Sequence, residues 1–172
     1  YRKGGEPGAP NGDWVRRQRV QLDSLYVPAA GHGFADWYDR FSKANPEYFA
    51  MQSDGTRTWN DKPYLAKLCD SNPAVWDQWI KDVEEAIAKY PERKVFNAAA
   101  NDNYGTGICC CEECRKWDVP NAEKRKWNYP KGKPIDGVAL SDRQVKFGNI
   151  LAQKLKERFP DKDYKVMILS YG

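Results

Sequence analysis

With 28 Lys and Arg against 24 Asp and Glu, this 172-residue chain carries a net charge of only +4 at pH 7. The two signs are interspersed instead of gathered in one block, so nucleic acid is not implied. Its 41% hydrophobic and 30% charged residues describe an ordinary globular protein, with 13 Gly and 11 Pro reserving length for loops, and no apolar run is long enough to span a bilayer.

In chain order, helices are expected over 13–22 and 34–44, with a strand over 23–27 between them. Residues 48–57 read as a small strand with an Asp54-Gly55 turn. The clearest helix takes Asn72 as N-cap and Pro73 as first residue, repeats Val75, Trp76, Trp79, Ile80, Val83, Ile87 and Tyr90 on one face, and ends at Pro91. A strand over 95–100 follows. Residues 119–137 hold Lys124, Arg125, Lys126, Lys131 and Lys133 among Pro and Gly with Trp127 and Tyr129; such a run could grip an anion or a phosphate backbone, but with no reading motif around it a solvated loop is expected. A second helix, capped by Ser141, carries Val145, Phe147, Ile150, Leu151, Leu155 and Phe159 up to Pro160. A strand over 165–170 closes the chain.

Helix alternating with strand favours an α/β fold with a parallel sheet, whose working loops leave the carboxyl ends of the strands. The main strands lie about 70 residues apart, against about 30 per unit in a compact eight-unit barrel. Three such strands cannot close a barrel. The expectation is therefore a small open sheet or, better matched by the long loops, a partial (β/α)8 TIM-barrel-like domain. No signal peptide or lipidation motif is legible, Tyr1 is no initiator Met, and Gly172 directly follows a strand-like run. Residues 1–172 are thus expected to be an internal part of one barrel domain, incomplete at both ends.

Chemistry gathers after the 95–100 strand. Asn101-Asp102-Asn103-Tyr104-Gly105 offers a carboxylate able to exchange a proton and an amide able to orient a substrate, although the same residue types also build turns. Cys109, Cys111 and Cys114 form a C-x-C-x-x-C array, to which Cys69 can add a fourth sulfur. A structural zinc site and two disulfides are both open, with Cys110 left over. Glu112 and Glu113 are reserve acids at the start of a short helix. His32, the lone histidine, sits between two glycines where a ligand can approach, and it excludes a multi-histidine metal centre. Trp37, Trp59, Trp117 and Trp127 fall in or near loops, where indoles can stack on sugar rings or pack the loops down.

Five segments in register carry a resemblance: Gly31-His32-Gly33-Phe34-Ala35-Asp36-Trp37-Tyr38; Pro46-Glu47-Tyr48-Phe49-Ala50 with Asp54-Gly55-Thr56-Arg57; Lys67-Leu68-Cys69-Asp70-Ser71-Asn72-Pro73; Asn101-Asp102; and Cys109-x-Cys111-x-x-Cys114. Together they resemble the catalytic barrel of a bacterial glycoside hydrolase family long catalogued as a domain of unknown function, with endo-β-N-acetylglucosaminidase members. The resemblance implies a barrel enzyme exported to the periplasm or cell surface, with a carbohydrate substrate. It implies cleavage of a β-linked N-acetylhexosamine in a complex glycan, the substrate's own 2-acetamido oxygen acting as nucleophile. Asn101 then orients the acetamido group, Asp102 is the acid/base, and His32, Trp37, Trp59 and Tyr104 line the sugar subsite. No cofactor is required beyond the optional structural zinc. The rivals are a non-catalytic carbohydrate-binding domain and a zinc-stabilised interaction domain. Cys110 and the basic 119–137 segment depart from the family pattern.

Overall fold

The computed structural model describes residues 31–59, 62–102 and 107–169. The expected helix over 13–22 and strand over 23–27 lie outside them. The described elements are helix α1 (Trp37–Phe41), helix α2 (Pro73–Lys89), strand β1 (Val95–Asn97), helix α3 (Glu112–Arg115), strands β2 (Lys124–Trp127) and β3 (Ile135–Val138), helix α4 (Ser141–Arg158) and strand β4 (Lys165–Met167). Short 3-10 turns cover Pro46–Tyr48 and Pro63–Leu65.

The α/β character holds: β1 pairs with β4 in parallel, Val95 opposite Lys165 and Asn97 opposite Met167. The ladder continues past β1, where the Ala98 amide donates to Met167 O at 2.8 Å. A second sheet of two strands is antiparallel, and no closed barrel is present among the described residues. None of the described helices is long and apolar enough to cross a membrane.

Helix α2 follows its sequence closely. Asn72 Oδ1 accepts from the Ala74 amide at 3.0 Å, Pro73 occupies the first turn where its missing N–H is harmless, and Val75, Trp79 and Val83 are buried. Helix α4 departs from expectation. Ser141 enters the helix instead of capping it, and Leu140 in the cap position makes no side-chain cap bond. Phe147, Leu151 and Leu155 face the core, but Val145 is exposed and Arg143 is buried in the position an apolar face would give to a hydrophobe. Gly148 explains how closely α4 lies on the strand layer: a Cβ there would meet Ile168 Cγ2 at 2.9 Å.

Three loop expectations are corrected. The helix expected over 34–44 is reduced to α1, bracketed by turns. Residues 48–57 form no strand; Phe49 makes an isolated bridge to Leu68, and only the Asp54-Gly55 turn survives, with Gly55 at φ +83°. The basic 119–137 segment is not a plain loop but contains the β2–β3 hairpin, whose Trp127 is buried against Gly137. That packing is possible because a side chain at Gly137 would stand 2.2 Å from the indole. Trp127 Nε1 donates to Val138 O at 3.0 Å, and the Arg143 guanidinium covers the ring at 5.1 Å.

Candidate active site and cysteine cluster

β1 runs into Ala98, Ala99 and Ala100, small residues that let neighbouring backbone come close. Gly33 uses that room: its amide donates to Ala99 O at 2.9 Å, and a Cβ on it would stand 2.8 Å from Asn97 O. Asn97 Nδ2 donates to Gly31 O at 2.9 Å. The 31–34 segment is thereby fastened along β1, and His32 arrives beside its carboxyl end. His32 Nδ1 lies 2.8 Å from Ala100 O, and Nε2 lies 3.6 Å from Asp102 Oδ2.

A cavity of about 90 Å³ opens here, lined by Lys67, Asp70, Asn101, Asp102, Ile108 and Gln144 among others. Asn101 is only 3% exposed. Its Nδ2 donates to Phe34 O at 3.1 Å and to Ala66 O at 2.8 Å, so both amide hydrogens are used on backbone carbonyls that can only accept. Those partners fix the orientation of the amide. Asn101 Oδ1 is buried and has no hydrogen-bond partner among the described residues, an arrangement that disfavours the folded chain unless a donor from elsewhere fills it.

Charged groups crowd the same wall. Lys67 Nζ donates to Asn101 O, and burial pulls its pKa down to about 8 against the opposing pull of Asp70 and Asp102. Burial pushes Asp70 up to about 7; negative charge at Cys114 adds to this, while Arg143, Lys67 and a 3.0 Å bond from Gln144 Nε2 oppose it. Asp102 is different in kind, with about two-thirds of its side chain exposed at the cavity mouth.

The cysteine cluster abuts this cavity. Cys69 Sγ lies 3.7 Å from Cys109 Sγ, 3.7 Å from Cys111 Sγ and 3.8 Å from Cys114 Sγ. All four sulfurs fall within 4.8 Å of one another and could hold a metal ion. None is joined in a disulfide. Backbone donors converge on them, the Met51 amide on Cys109 Sγ at 3.3 Å and the Cys114 amide on Cys111 Sγ at 3.5 Å, and the Ser71 hydroxyl lies 3.1 Å from Cys114 Sγ, where either group can donate. The sulfurs polarise one another. Hydrogen bonds from Cys109 and Cys114 hold the Cys69 thiol down to about 4, and the bond from Cys109 holds Cys111 down to about 6. Cys109, the donor in these bonds, is pushed up. Cys110 turns away and donates to Gln52 O at 3.2 Å.

Of the residues singled out from sequence, Asn101 and Asp102 line one cavity, His32 stands outside its lining against Asp102, and the four cysteines meet beside it, with Cys109 in its wall. The tryptophans do not join them. Trp37 is 1% exposed, its ring packed among Phe34, Phe41 and Tyr48 and its Nε1 bonded to Asp82 Oδ2 at 3.0 Å. Trp59 is 4% exposed beneath Gly107. Neither presents a free face for stacking on a sugar. Tyr104 lies outside the described residues. Glu112 and Glu113 open α3 and pair with Lys116 away from the cavity lining. Sequence reasoning passed over Lys67 and Asp70, although both flank Cys69, and over Gln144, which one helical turn past Leu140 has no distinguishing signal.

A family model described as Domain of unknown function (DUF4838) matches residues 10–171. No curated protein and no solved structure matches the chain.

Proposed function

The chain belongs to the DUF4838 family, and on that premise we propose that it is part of a (β/α)8-type glycoside hydrolase domain cleaving a β-linked N-acetylhexosamine in a complex glycan. The observation that carries the reading is Asn101. A buried amide with both hydrogens committed and its Oδ1 unpartnered can act only as an acceptor, and the N–H of a 2-acetamido group is the matching donor.

The chemistry follows from that contact. With its N–H held by Asn101 Oδ1, the acetamido carbonyl oxygen attacks the anomeric carbon as the glycosidic C–O bond breaks. Asp102 gives its proton to the leaving oxygen, and then, as carboxylate, takes one from the water that opens the cyclic intermediate. His32, 3.6 Å from Asp102, sets the direction of that carboxyl group. No cofactor enters the reaction; the four cysteines fit a structural zinc. Export to the periplasm or cell surface and a carbohydrate partner belong to the same reading, which draws on the motif series of Gly31 to Cys114.

Asp102→Asn in the whole parent protein tests it. Glycan release is expected to fall by about 10²- to 10⁴-fold with the fold intact. Unchanged turnover would remove Asp102 from its role, and glycan binding without cleavage on long incubation would support a non-catalytic carbohydrate-binding domain instead.

A further inference from the structure

We propose that Asp70 is a substrate-binding residue of the cavity, its open carboxyl oxygen taking a ring hydroxyl of the sugar whose acetamido N–H meets Asn101 Oδ1. The inference rests on the carbohydrate part of the reading above and not on catalysis by Asp102.

Asp70 is a buried carboxyl group that the proposed reaction leaves unused. It is 8% exposed and lines the same cavity as Asn101. Its backbone and its side chain are both held: Trp76 Nε1 donates to Asp70 O at 2.7 Å, and Gln144 Nε2, from another residue of the cavity lining, donates to Oδ2 at 3.0 Å. Two fixed points leave the carboxyl group little freedom to turn, so its orientation is set before a ligand arrives.

A carboxyl group has room for about four hydrogen bonds, and among the described residues only the Gln144 donor reaches this one. Neither nearby cation forms an ion pair with it: Lys67 Nζ donates to Asn101 O, and the Arg143 guanidinium is divided between Asp118 Oδ1 and Cys109 O. Oδ1 is thus left open, a costly state for a buried polar group unless a ligand completes it. The cavity therefore presents two open acceptors in one lining, Asn101 Oδ1 and Asp70 Oδ1. Two such acceptors select a ligand with two donors on a rigid frame. An N-acetylhexosamine carries an acetamido N–H and hydroxyls on the same ring, and a hydroxyl can accept as well as donate. Phe34, Leu68, Ile108 and Leu140, elsewhere in the lining, have apolar side chains that offer no rival hydrogen bond.

The test titrates the whole parent protein with methyl N-acetyl-β-glucosaminide and with its 3-, 4- and 6-deoxy forms, reading binding by NMR so that turnover is not needed. One deoxy sugar should bind wild type about 10- to 100-fold more weakly than the intact sugar, the loss of one hydrogen bond to a buried carboxyl group. Asp70→Leu, close in size and without an acceptor, should bind the intact sugar that weakly and lose nothing further with the same deoxy sugar, while the other two deoxy sugars keep their ratios. Gln144→Leu, which frees the carboxyl group to turn, should shrink the penalty of that one deoxy sugar, and it keeps the role readable should Asp70→Leu fold poorly. Wild type that binds none of the four sugars overturns the carbohydrate reading and the inference together. Equal binding of all four by wild type, or a deoxy penalty undiminished in the variants, overturns the role of Asp70 while leaving the carbohydrate reading standing.

Discussion

The two ends of the 101–114 loop obey opposite rules. At its far end the cysteines are mutually satisfied, with each sulfur near three others and backbone donors closing the remaining directions. At its near end Asn101 keeps an unpartnered acceptor and Asp102 stands exposed beside His32. A site that holds a chain together completes its own bonds, whereas a site that meets a ligand leaves some open. Substitutions should therefore act on stability at the cysteines and on ligand contact at Asn101 and Asp102.

On the proposed structural zinc, the largest expected effect is removal of that metal. Chelation, or Cys111→Ala at a half-buried member of the proposed ligand set, should lower the melting temperature by about 10 °C or more, because binding energy at a structural site is folding energy. Hydrogen exchange should rise first over 107–114 and around Cys69. A melt unaffected by chelator would erase the contrast at its stronger end.

Gly107, between the two halves, comes next. It sits at φ +66°, and an added Cβ would stand 2.1 Å from the buried Trp59 ring. Gly107→Ala should cost about 2–4 kcal/mol in chemical denaturation, from backbone strain and displaced indole together. Asn101→Ala ranks close behind, since it leaves the buried Ala66 carbonyl without its side-chain donor and takes from the Phe34 carbonyl one of two donors, the Trp37 amide remaining; about 1–3 kcal/mol is expected. Asn101 thus belongs partly to both halves, its Nδ2 structural and its Oδ1 open. A loss under 0.5 kcal/mol would show that the Ala66 carbonyl finds another donor.

How far the sequence was legible follows the same division. α2 could be read because Asn72, Pro73 and the spacing of Val75, Trp79 and Val83 are local signals that agree. The parallel strands and the meeting of the four cysteines were legible for the same reason, from apolar runs and ligand spacing. Trp37 and Trp59 misled because a tryptophan near a loop looks alike whether its face is free or covered, and the covering residues, such as Tyr48 and Gly107, are distant in sequence. The β2–β3 hairpin was hidden by its charge: Lys124 and Lys126 point outward while only Trp127 is buried.

Asp102→Asn should have the smallest effect on stability, and that is its diagnostic value. The side chain is about two-thirds exposed, its separation from His32 Nε2 is 3.6 Å, and an exposed pair of this kind contributes at most about 1 kcal/mol and commonly far less. Asparagine keeps the volume and an acceptor oxygen while removing the transferable proton. The melting temperature should stay within about 2 °C of wild type, with any bound metal retained, while any glycan turnover by the parent protein collapses. A fall comparable to that of Cys111→Ala would mean that Asp102 braces the loop, and the two ends would then be a single structural unit with no open site at its head.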